Sequence, residues 1–440
     1  MNKVEIAAII VGAMLVLIAL RVPLGAAMFV AGAAGYWWLV GEPALLNYLK
    51  GLLWARFSVY DLSVIPLFLL MGQFASTAGF SRKLFHAANT LVGHRRGGVA
   101  QAAIIACACF GAICGSSVAT AATMSQVALP EMRRLKYSDR LATGTLAAGG
   151  TLGILVPPSV ILIIYAVLAE QSVVKLFAAA VIPGIIAALG YMAAIAIYVR
   201  LAPGHAPLQP RATRAERLHA VGEAWPIAAI LLLMFVGIYV GFFTPTEGAA
   251  VATTATLILA LAGRQIDWRQ IVRCVLPAAQ ATAMIYTMLL GAAMMNTALA
   301  VTQVPADIAT WLTGLDVHPL LIVGGFLAAF VVLTCVLDEL AMILLLLPVL
   351  LPTILGLDLF GLTAEHKAIW FGILMLVVVS VGLIAPPIGL DVYVVHNIAK
   401  TVRIGEIYRG IVPFLVSDFV RVLLLLFFPV LTLWALRFVS

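Results

Sequence analysis

The sequence predicts an all-α polytopic membrane protein with about eleven spans and two re-entrant hairpins of opposite orientation. Three observations predict this class: extreme apolarity, charges confined to short polar segments, and a motif that occurs twice. Of the 440 residues, 64% are hydrophobic and only 10% are charged, and the mean hydropathy is +1.13. Because a spanning helix uses about 20 residues, the apolar runs account for nearly the whole chain. We therefore expect no separate soluble domain.

The first hairpin follows from the positions of the basic residues. Two polar segments, residues 81–97 and 131–140, each carry four Arg or Lys residues. The positive-inside rule predicts that both segments are cytoplasmic. The chain between them, about residues 98–130, must then enter the membrane and return to the same side, with the small polar stretch "ICGSSVA" at its turn. Such backbone is tolerated at membrane depth only where it is buried in protein or lines an aqueous cavity.

The second hairpin enters from the opposite face. Residues 301–319 contain two Asp and no Lys or Arg, and residues 353–367 contain two acids against one Lys. These acidic flanks predict external loops, so a hairpin at about 319–353 returns to the external side. Both chain termini are then external, and the remaining cytoplasmic segments are the basic ones at 200–217, 264–273 and 400–409.

Helix breaks reveal an internal repeat. A motif of Gly, three apolar residues and two prolines occurs at 153–158 and at 382–387. Each double proline interrupts a helix, because proline removes a backbone donor and disfavours α geometry in the preceding residue. Three further pairs lie 222 residues apart: Pro23 with Pro245, Ser116 with Asp338, and Pro130 with Pro352. With the opposite hairpin orientations, this predicts an inverted repeat: residues 1–200, a cytoplasmic linker at 201–223, and residues 224–440.

Inverted repeats with broken helices predict a secondary transporter. Half-helix ends and unwound carbonyls meet near the bilayer midplane, where they bind coupling ions and anionic substrates. By analogy with other transporters that contain paired hairpins, we expect an elevator motion of the hairpins and broken helices against a static scaffold.

The chain resembles the large membrane subunit of a tripartite ATP-independent periplasmic (TRAP) transporter, within the ion-transporter superfamily. The resemblance rests on "GAICGSSVATAATM", "LAAGGTLGILVPPS", "GFFTPTEGAAVA", "DELAMILLLLPVLLP" and "GLIAPPIGLDVYVV". It implies sodium-coupled import of an organic acid, such as a dicarboxylate, keto acid or sugar acid, across the bacterial inner membrane. It also implies two partners, a separate small membrane subunit and a soluble periplasmic binding protein. One position departs from the family, which commonly has Asn where this chain has Asp391.

The candidate site residues lie at the hairpin tips and helix breaks. Sodium prefers oxygen ligands, so backbone carbonyls are the expected cation ligands, although small residues also serve ordinary helix packing in membranes. The predicted cation set is Gly115, Ser116, Ser117, Gly153, Val156, Val336, Asp338, Gly382 and Ala385. The predicted substrate or gating set is Ser117, Thr120, Thr151, Pro157, Pro158, Asp338, Glu339, Pro386, Pro387 and Asp391.

The carboxyl groups in these sets have alternative explanations. A carboxylate at mid-span costs about 2.5 to 3.5 kcal/mol, so it persists only when it is paired, hydrated or used. Asp338 and Glu339 either contact the cation or substrate or cap the following helix, and both roles are compatible. Asp391 is either an ionised part of a cation site or a neutral or solvated side chain. For Glu247, helix capping is the favoured interpretation.

Other functional classes fit the sequence poorly. The net charge of +7 reports membrane orientation, so no nucleic acid partner is implied. The five cysteines are interpreted as packing residues, with no transition metal or other cofactor expected besides the coupling sodium ion. An enzyme is not expected, because a Ser117–His396 pair lacks an oxyanion arrangement, and ATP-driven transport is not expected, because the chain lacks a Walker loop. Two alternatives stay open: a self-sufficient divalent-anion/sodium symporter of the same superfamily, and an ion channel.

Overall fold

The computed structural model describes residues 2–334 and 338–439, and every regular element in these two ranges is helical. Short 3-10 turns lie at Tyr60–Ser63, Pro203–His205 and Trp434–Phe438. The α-helices are α1 Lys3–Ala19, α2 Leu24–Val40, α3 Glu42–Phe57, α4 Val64–Thr77, α5 Phe80–Val92, α6 Gly98–Cys114, α7 Ser117–Arg134, α8 Asp139–Leu155, α9 Val160–Leu168, α10 Val173–Leu201, α11 Arg214–Tyr239, α12 Pro245–Ala262, α13 Trp268–Thr302, α14 Val304–Thr313, α15 Pro319–Thr334, α16 Glu339–Gly356, α17 Ala364–Gly382, α18 Leu390–Ile398, α19 Ile404–Phe427 and α20 Val430–Leu433.

The helices are those of a polytopic membrane protein. Within the described ranges, seven helices are long and apolar enough to cross a bilayer, and the number is nine when each bent helix pair counts as one span. The apolar helices α2, α6 and α15 are shorter. Because these short helices fall below the length of a full span, the expected number of about eleven spans stays a prediction.

The segment predicted as the first hairpin folds as α6 and α7, which meet at Gly115 and Ser116. Gly115 ends α6 in the left-handed region at φ +61°, a conformation that glycine adopts without strain. Ser116 then caps α7, because its hydroxyl accepts a hydrogen bond from the Ala119 amide at 3.4 Å. The turn is therefore built from one glycine and one serine.

The segment predicted as the second hairpin folds as α15 and α16. Helix α15 ends at Thr334, and Asp338 caps α16 by accepting a hydrogen bond from the Leu340 amide at 3.3 Å. Asp338 thus occupies the same N-cap position in the second hairpin that Ser116 occupies in the first. The predicted cation ligand Val336 lies outside the described residues.

The two broken helices run through the centre of the molecule. Every residue from Leu141 to Leu155 of α8 and from Ala368 to Gly382 of α17 is buried. Helix α8 breaks after Leu155 and resumes as α9 at an angle of 41°. Helix α17 breaks after Gly382 and resumes as α18. Both Pro-Pro peptide bonds are cis.

The predicted linker at 201–223 covers the connection between α10 and α11 and the first turns of α11. Helix α11 begins at Arg214, because Thr213 and Glu216 form a capping box: the Thr213 amide donates to the Glu216 carboxylate at 2.7 Å. Residues 202–213 thus connect α10 to α11, and they include the 3-10 turn at Pro203–His205.

Candidate functional site

The tip of the first hairpin packs directly against the first helix break. A Cβ atom on Gly111 of α6 would lie 2.6 Å from the Cα atom of Gly153 on α8. A Cβ atom on Gly153 would lie 2.5 Å from both the carbonyl oxygen of Ser116 and the hydroxyl oxygen of Thr120. The absence of side chains at these two glycines is therefore what lets the tip carbonyls approach the last turn of α8.

Hydrogen bonds hold the backbone of this tip in place. The Thr120 hydroxyl donates to the Ser116 carbonyl at 2.8 Å. On the other side of the turn, a Cβ atom on Gly115 would lie 3.3 Å from the carbonyl oxygen of Pro158. The structure therefore brings the predicted residues of the first tip together with those of the first break.

Two other carboxyl groups, those of Asp338 and Asp391, lie within electrostatic range of Glu339 near the hairpin tips. Glu339, the first residue of α16, interacts with the charges of Asp338 and Asp391, and its carboxyl group lies beside the hydroxyl of Ser117. In the described part of the chain, no three His, Cys, Asp or Glu side chains are close enough to share one metal ion. When ionised, these carboxyl groups would repel one another, and a nearby cation would offset that repulsion.

One of these carboxyl groups, that of Asp391, lies in the protein interior. Its side chain is fully buried, and neither carboxylate oxygen has a hydrogen-bond partner among the described residues. Its Oδ2 atom lies only 3.0 Å from the position that a Cβ atom on Gly150 of α8 would take. Since a buried carboxylate without hydrogen bonds is costly, a bound proton or cation is its natural partner.

At the second break, Gly382 packs closely against the end of α15, the first helix of the second hairpin. A Cβ atom on Gly382 would overlap the hydroxyl oxygen of Thr334, the residue at which α15 ends. Ala385, three residues further, is buried, and its amide donates to the Val381 carbonyl at 2.9 Å. The predicted residues Gly382 and Ala385 therefore lie near the end of α15.

The two breaks differ in exposure. Pro157 and Pro158 at the first break are buried, whereas Pro386, Pro387 and Ile388 at the second break are exposed. At the second break, the Tyr408 hydroxyl on α19 contacts the carbonyl oxygens of Pro387 at 3.0 Å and Ile388 at 2.7 Å. The prolines of the first break are therefore covered by protein, and those of the second break are not.

Two predicted residues have neighbours away from the hairpin tips. The side chain of Val156 packs near Gly184 of α10, where a Cβ atom would lie 3.3 Å from Val156 Cγ2. Thr151 is buried, and its hydroxyl lies 2.8 Å from the Ala148 carbonyl and 3.0 Å from the Tyr191 hydroxyl. Thr151 therefore contacts α10, and its predicted role as a substrate or gating residue stays a prediction.

The polar group that Thr151 contacts was not predicted from the sequence. The Tyr191 hydroxyl donates to Asp418 at 2.9 Å, and Asp418 forms a buried ion pair with Arg421 at 2.8 Å. A signal was present, because opposite charges three residues apart interrupt the apolar stretch "LVSDFVRVLLLL" of α19.

Glu247 caps its helix. The Thr244 amide donates to the Glu247 carboxylate at 2.8 Å, and the Glu247 amide donates to the Thr244 hydroxyl at 3.2 Å. These bonds confirm the capping interpretation.

Comparisons with known proteins agree over most of the chain. The sequence model of the family described as "Tripartite ATP-independent periplasmic transporter, DctM component" matches residues 11–431. The C4-dicarboxylate TRAP transporter large permease protein DctM of Pseudomonas aeruginosa is 34% identical over 385 residues, which cover 85% of this chain and 86% of that protein. The 2,3-diketo-L-gulonate TRAP transporter large permease protein YiaN of Escherichia coli is 27% identical over 436 residues, which cover 98% and 99%.

A solved structure shares the fold. The YdaH transporter of Alcanivorax borkumensis has a TM-score of 0.63 at 16% sequence identity, and the match covers 88% of this chain and 89% of that one. At this level of identity, the likeness concerns the fold alone.

Proposed function

Because this chain belongs to the family of DctM components of tripartite ATP-independent periplasmic transporters, we propose that it imports an organic acid by sodium symport across the bacterial inner membrane. It is a multi-pass transporter permease of the large-subunit type. In the proposed system, a soluble periplasmic binding protein delivers the substrate, and a separate small membrane subunit completes the permease.

The carboxyl groups around the two hairpin tips carry this proposal. Glu339 and Asp338 begin the second helix of one hairpin, Ser117 begins the second helix of the other, and Asp391 follows the second break. Repulsion within this group falls when a cation binds, and backbone carbonyls at a helix break are ligands of the kind that sodium prefers. A sodium gradient can therefore supply both charge compensation and the driving force.

The same tips suit an anionic substrate. Helices α7 and α16 each begin at a hairpin tip, and a helix N-terminus presents unpaired N–H groups and a partial positive charge to an anion. The relatives named above transport a C4-dicarboxylate and 2,3-diketo-L-gulonate. We therefore propose a substrate with at least one carboxylate, bound between the two helix N-termini beside a sodium ion. Such a substrate fits the positive helix ends and resembles the substrates of these relatives.

The unequal exposure of the two breaks supports alternating access. The buried first break and the exposed second break belong to one conformation, and exchange of the two repeat conformations would expose the first break instead. By the predicted orientation, the exposed break lies toward the cytoplasmic end of its span. In the proposed cycle, this conformation would release substrate inward, and an elevator movement of the hairpins and broken helices would reverse it.

Uptake into proteoliposomes tests the proposal. The liposomes contain this chain with its small subunit, the binding protein is added outside, and labelled C4-dicarboxylates and sugar acids are supplied. We expect uptake that requires an inward sodium gradient and the binding protein, and that falls at least about tenfold in Asp338→Asn, the loss of about 1.4 kcal/mol of cation binding. Glu247→Gln, an equivalent change at a capping position, serves as the matched control.

Three results would contradict the proposal. Equal uptake in potassium would remove sodium coupling. Uptake without the binding protein would favour the self-sufficient symporter. Electrical currents far above carrier turnover would favour a channel.

A further inference from the structure

A chain of buried polar side chains connects the two broken helices on the side away from the hairpin tips. Its ends are Thr151 on α8 and Ser380 on α17, and between them lie Tyr191 on α10 and the pair Asp418 and Arg421 on α19. None of the five residues exposes more than 2% of its surface. We define these five residues as the polar clamp.

The contacts of the polar clamp are continuous. The Thr151 hydroxyl lies 3.0 Å from the Tyr191 hydroxyl, which donates to Asp418 Oδ2 at 2.9 Å. Asp418 Oδ1 lies 2.8 Å from Arg421 Nη2, which donates to the Ser380 hydroxyl at 3.1 Å. The Arg421 guanidinium also lies over the Tyr191 ring, 5.8 Å from its centroid. One path of direct contacts therefore runs from the first broken helix to the second.

The polar clamp follows the internal repeat. Thr151 and Ser380 each lie two residues before the glycine of the Gly…Pro-Pro motif, at Gly153 and Gly382. Tyr191 and Arg421 each lie eight residues after a proline that follows two aliphatic residues, at positions 183 and 413. The first repeat thus contributes Thr151 and Tyr191, and the second contributes Ser380 and Arg421. Asp418 contacts both Tyr191 and Arg421.

Packing alone does not require such a group. A buried ion pair among helices loses much of its attraction to desolvation, and apolar residues of similar volume often stabilise as well. Here Arg421 Nε and Nη1 have no hydrogen-bond partner in the described ranges, which adds a further desolvation penalty. What the ion pair supplies, and apolar side chains cannot, is fixed geometry between two hydroxyl groups on different helices.

We propose that Tyr191, Asp418 and Arg421 are positioning residues that couple the last turns of the two broken helices to each other. Thr151 and Ser380 lie within one turn of the residues whose carbonyls border the breaks. Because the clamp fixes the positions of both hydroxyls, it also fixes the backbone at both breaks. A substitution at either end of the clamp should therefore change the backbone stability at the other end. The consequence for sodium affinity rests on the proposed function, whereas the coupling itself does not.

Amide hydrogen exchange tests the coupling without any transported ligand. The purified chain in lipid nanodiscs is compared with Tyr191→Phe, which acts at the first-repeat end, and Ser380→Ala, which acts at the second-repeat end. We expect each variant to speed exchange roughly tenfold at both breaks, residues 152–156 and 381–385, because a buried partner is left unpaired. Tyr165→Phe is the matched control, since its buried hydroxyl donates to the Ala368 carbonyl at 2.6 Å outside the clamp.

Confinement of each effect to the nearer break would overturn the proposal, as would an equal effect of Tyr165→Phe at both breaks. If Ser380→Ala does not fold, exchange in Tyr191→Phe alone tests the coupling, because residues 381–385 form the break that is distant from Tyr191.

A second measurement separates positioning from general stability. In Tyr191→Phe we expect the half-saturating sodium concentration for thermal stabilisation to rise several-fold, while Tyr165→Phe lowers the melting temperature equally in sodium and potassium. An unchanged half-saturating concentration together with unchanged exchange at the far break would refute the clamp. If the wild type shows no sodium-specific response, sodium coupling itself is contradicted, and the exchange experiment still decides the clamp.

Discussion

Ser116 and Asp338 show that one tip residue serves both structure and site. Both cap the second helix of their hairpin, and both lie beside the residues proposed to bind the cation. Their common role was predictable, because they lie 222 residues apart in the repeat register and Ser and Asp are both good N-cap residues. The proximity of Glu339 to Asp391 was not predictable, because it depends on how α16 and α18 pack.

Two substitutions at Asp338 separate its roles. Asn caps a helix about as well as Asp, so Asp338→Asn should keep the melting temperature in potassium and lose most sodium-driven uptake. Asp338→Ala should lose uptake and also about 1 kcal/mol of stability. Normal uptake by Asp338→Asn would show that capping is the only role of this side chain.

At the scale of helices, the sequence predicts where the breaks lie but not which one is open. The Pro-Pro motifs end α8 and α17 within a few residues of the predicted positions, because proline acts locally on the backbone. Exposure of Pro386 and burial of Pro157 depend on helices distant in the chain. The polar clamp was missed for the same reason, since α10 and α19 are separated by two hundred residues of sequence.

The contact between the first tip and the first break makes a prediction about Gly153. A Cβ atom there would meet the Ser116 carbonyl and the Thr120 hydroxyl at 2.5 Å, so Gly153→Ala should destabilise the chain by about 1 to 3 kcal/mol and abolish the sodium-dependent rise in melting temperature. Gly324→Ala is the matched control, because a Cβ atom there meets nothing within 4 Å. Equal behaviour of the two variants would contradict the packing described for the tip.

At the scale of the whole molecule, the elevator hypothesis requires the first hairpin to move past helices that stay fixed. Under this hypothesis we assign α4 to the fixed helices, and it contacts the hairpin, since the Ser76 hydroxyl on α4 lies 3.4 Å from the Thr123 hydroxyl on α7. The sequence predicts the repeat and therefore the two conformations, but the pairs of residues that separate during the motion come only from the packed structure.

A disulfide across this contact tests the motion. We expect oxidation of Ser76→Cys/Thr123→Cys to stop uptake and reduction to restore it, as followed in proteoliposomes. The control is Thr77→Cys, because the Thr77 hydroxyl oxygen lies 3.2 Å from the native Cys274 sulfur on α13. Under the elevator hypothesis we assign α4 and α13 to the same fixed part, so this disulfide should leave uptake intact. Normal uptake with the Ser76–Thr123 pair fully oxidised would contradict an elevator movement at this boundary.

The most direct test of the cation site is the melting temperature of the purified chain in sodium and in potassium at equal ionic strength. A ligand that binds only the folded state stabilises it by about 2.7 kcal/mol at one hundred times its Kd. We expect a sodium-specific rise for the wild type that is reduced in Ser117→Ala and in Asp338→Asn. Equal melting temperatures in both salts, or a rise that both variants keep in full, would contradict a sodium site at the hairpin tips.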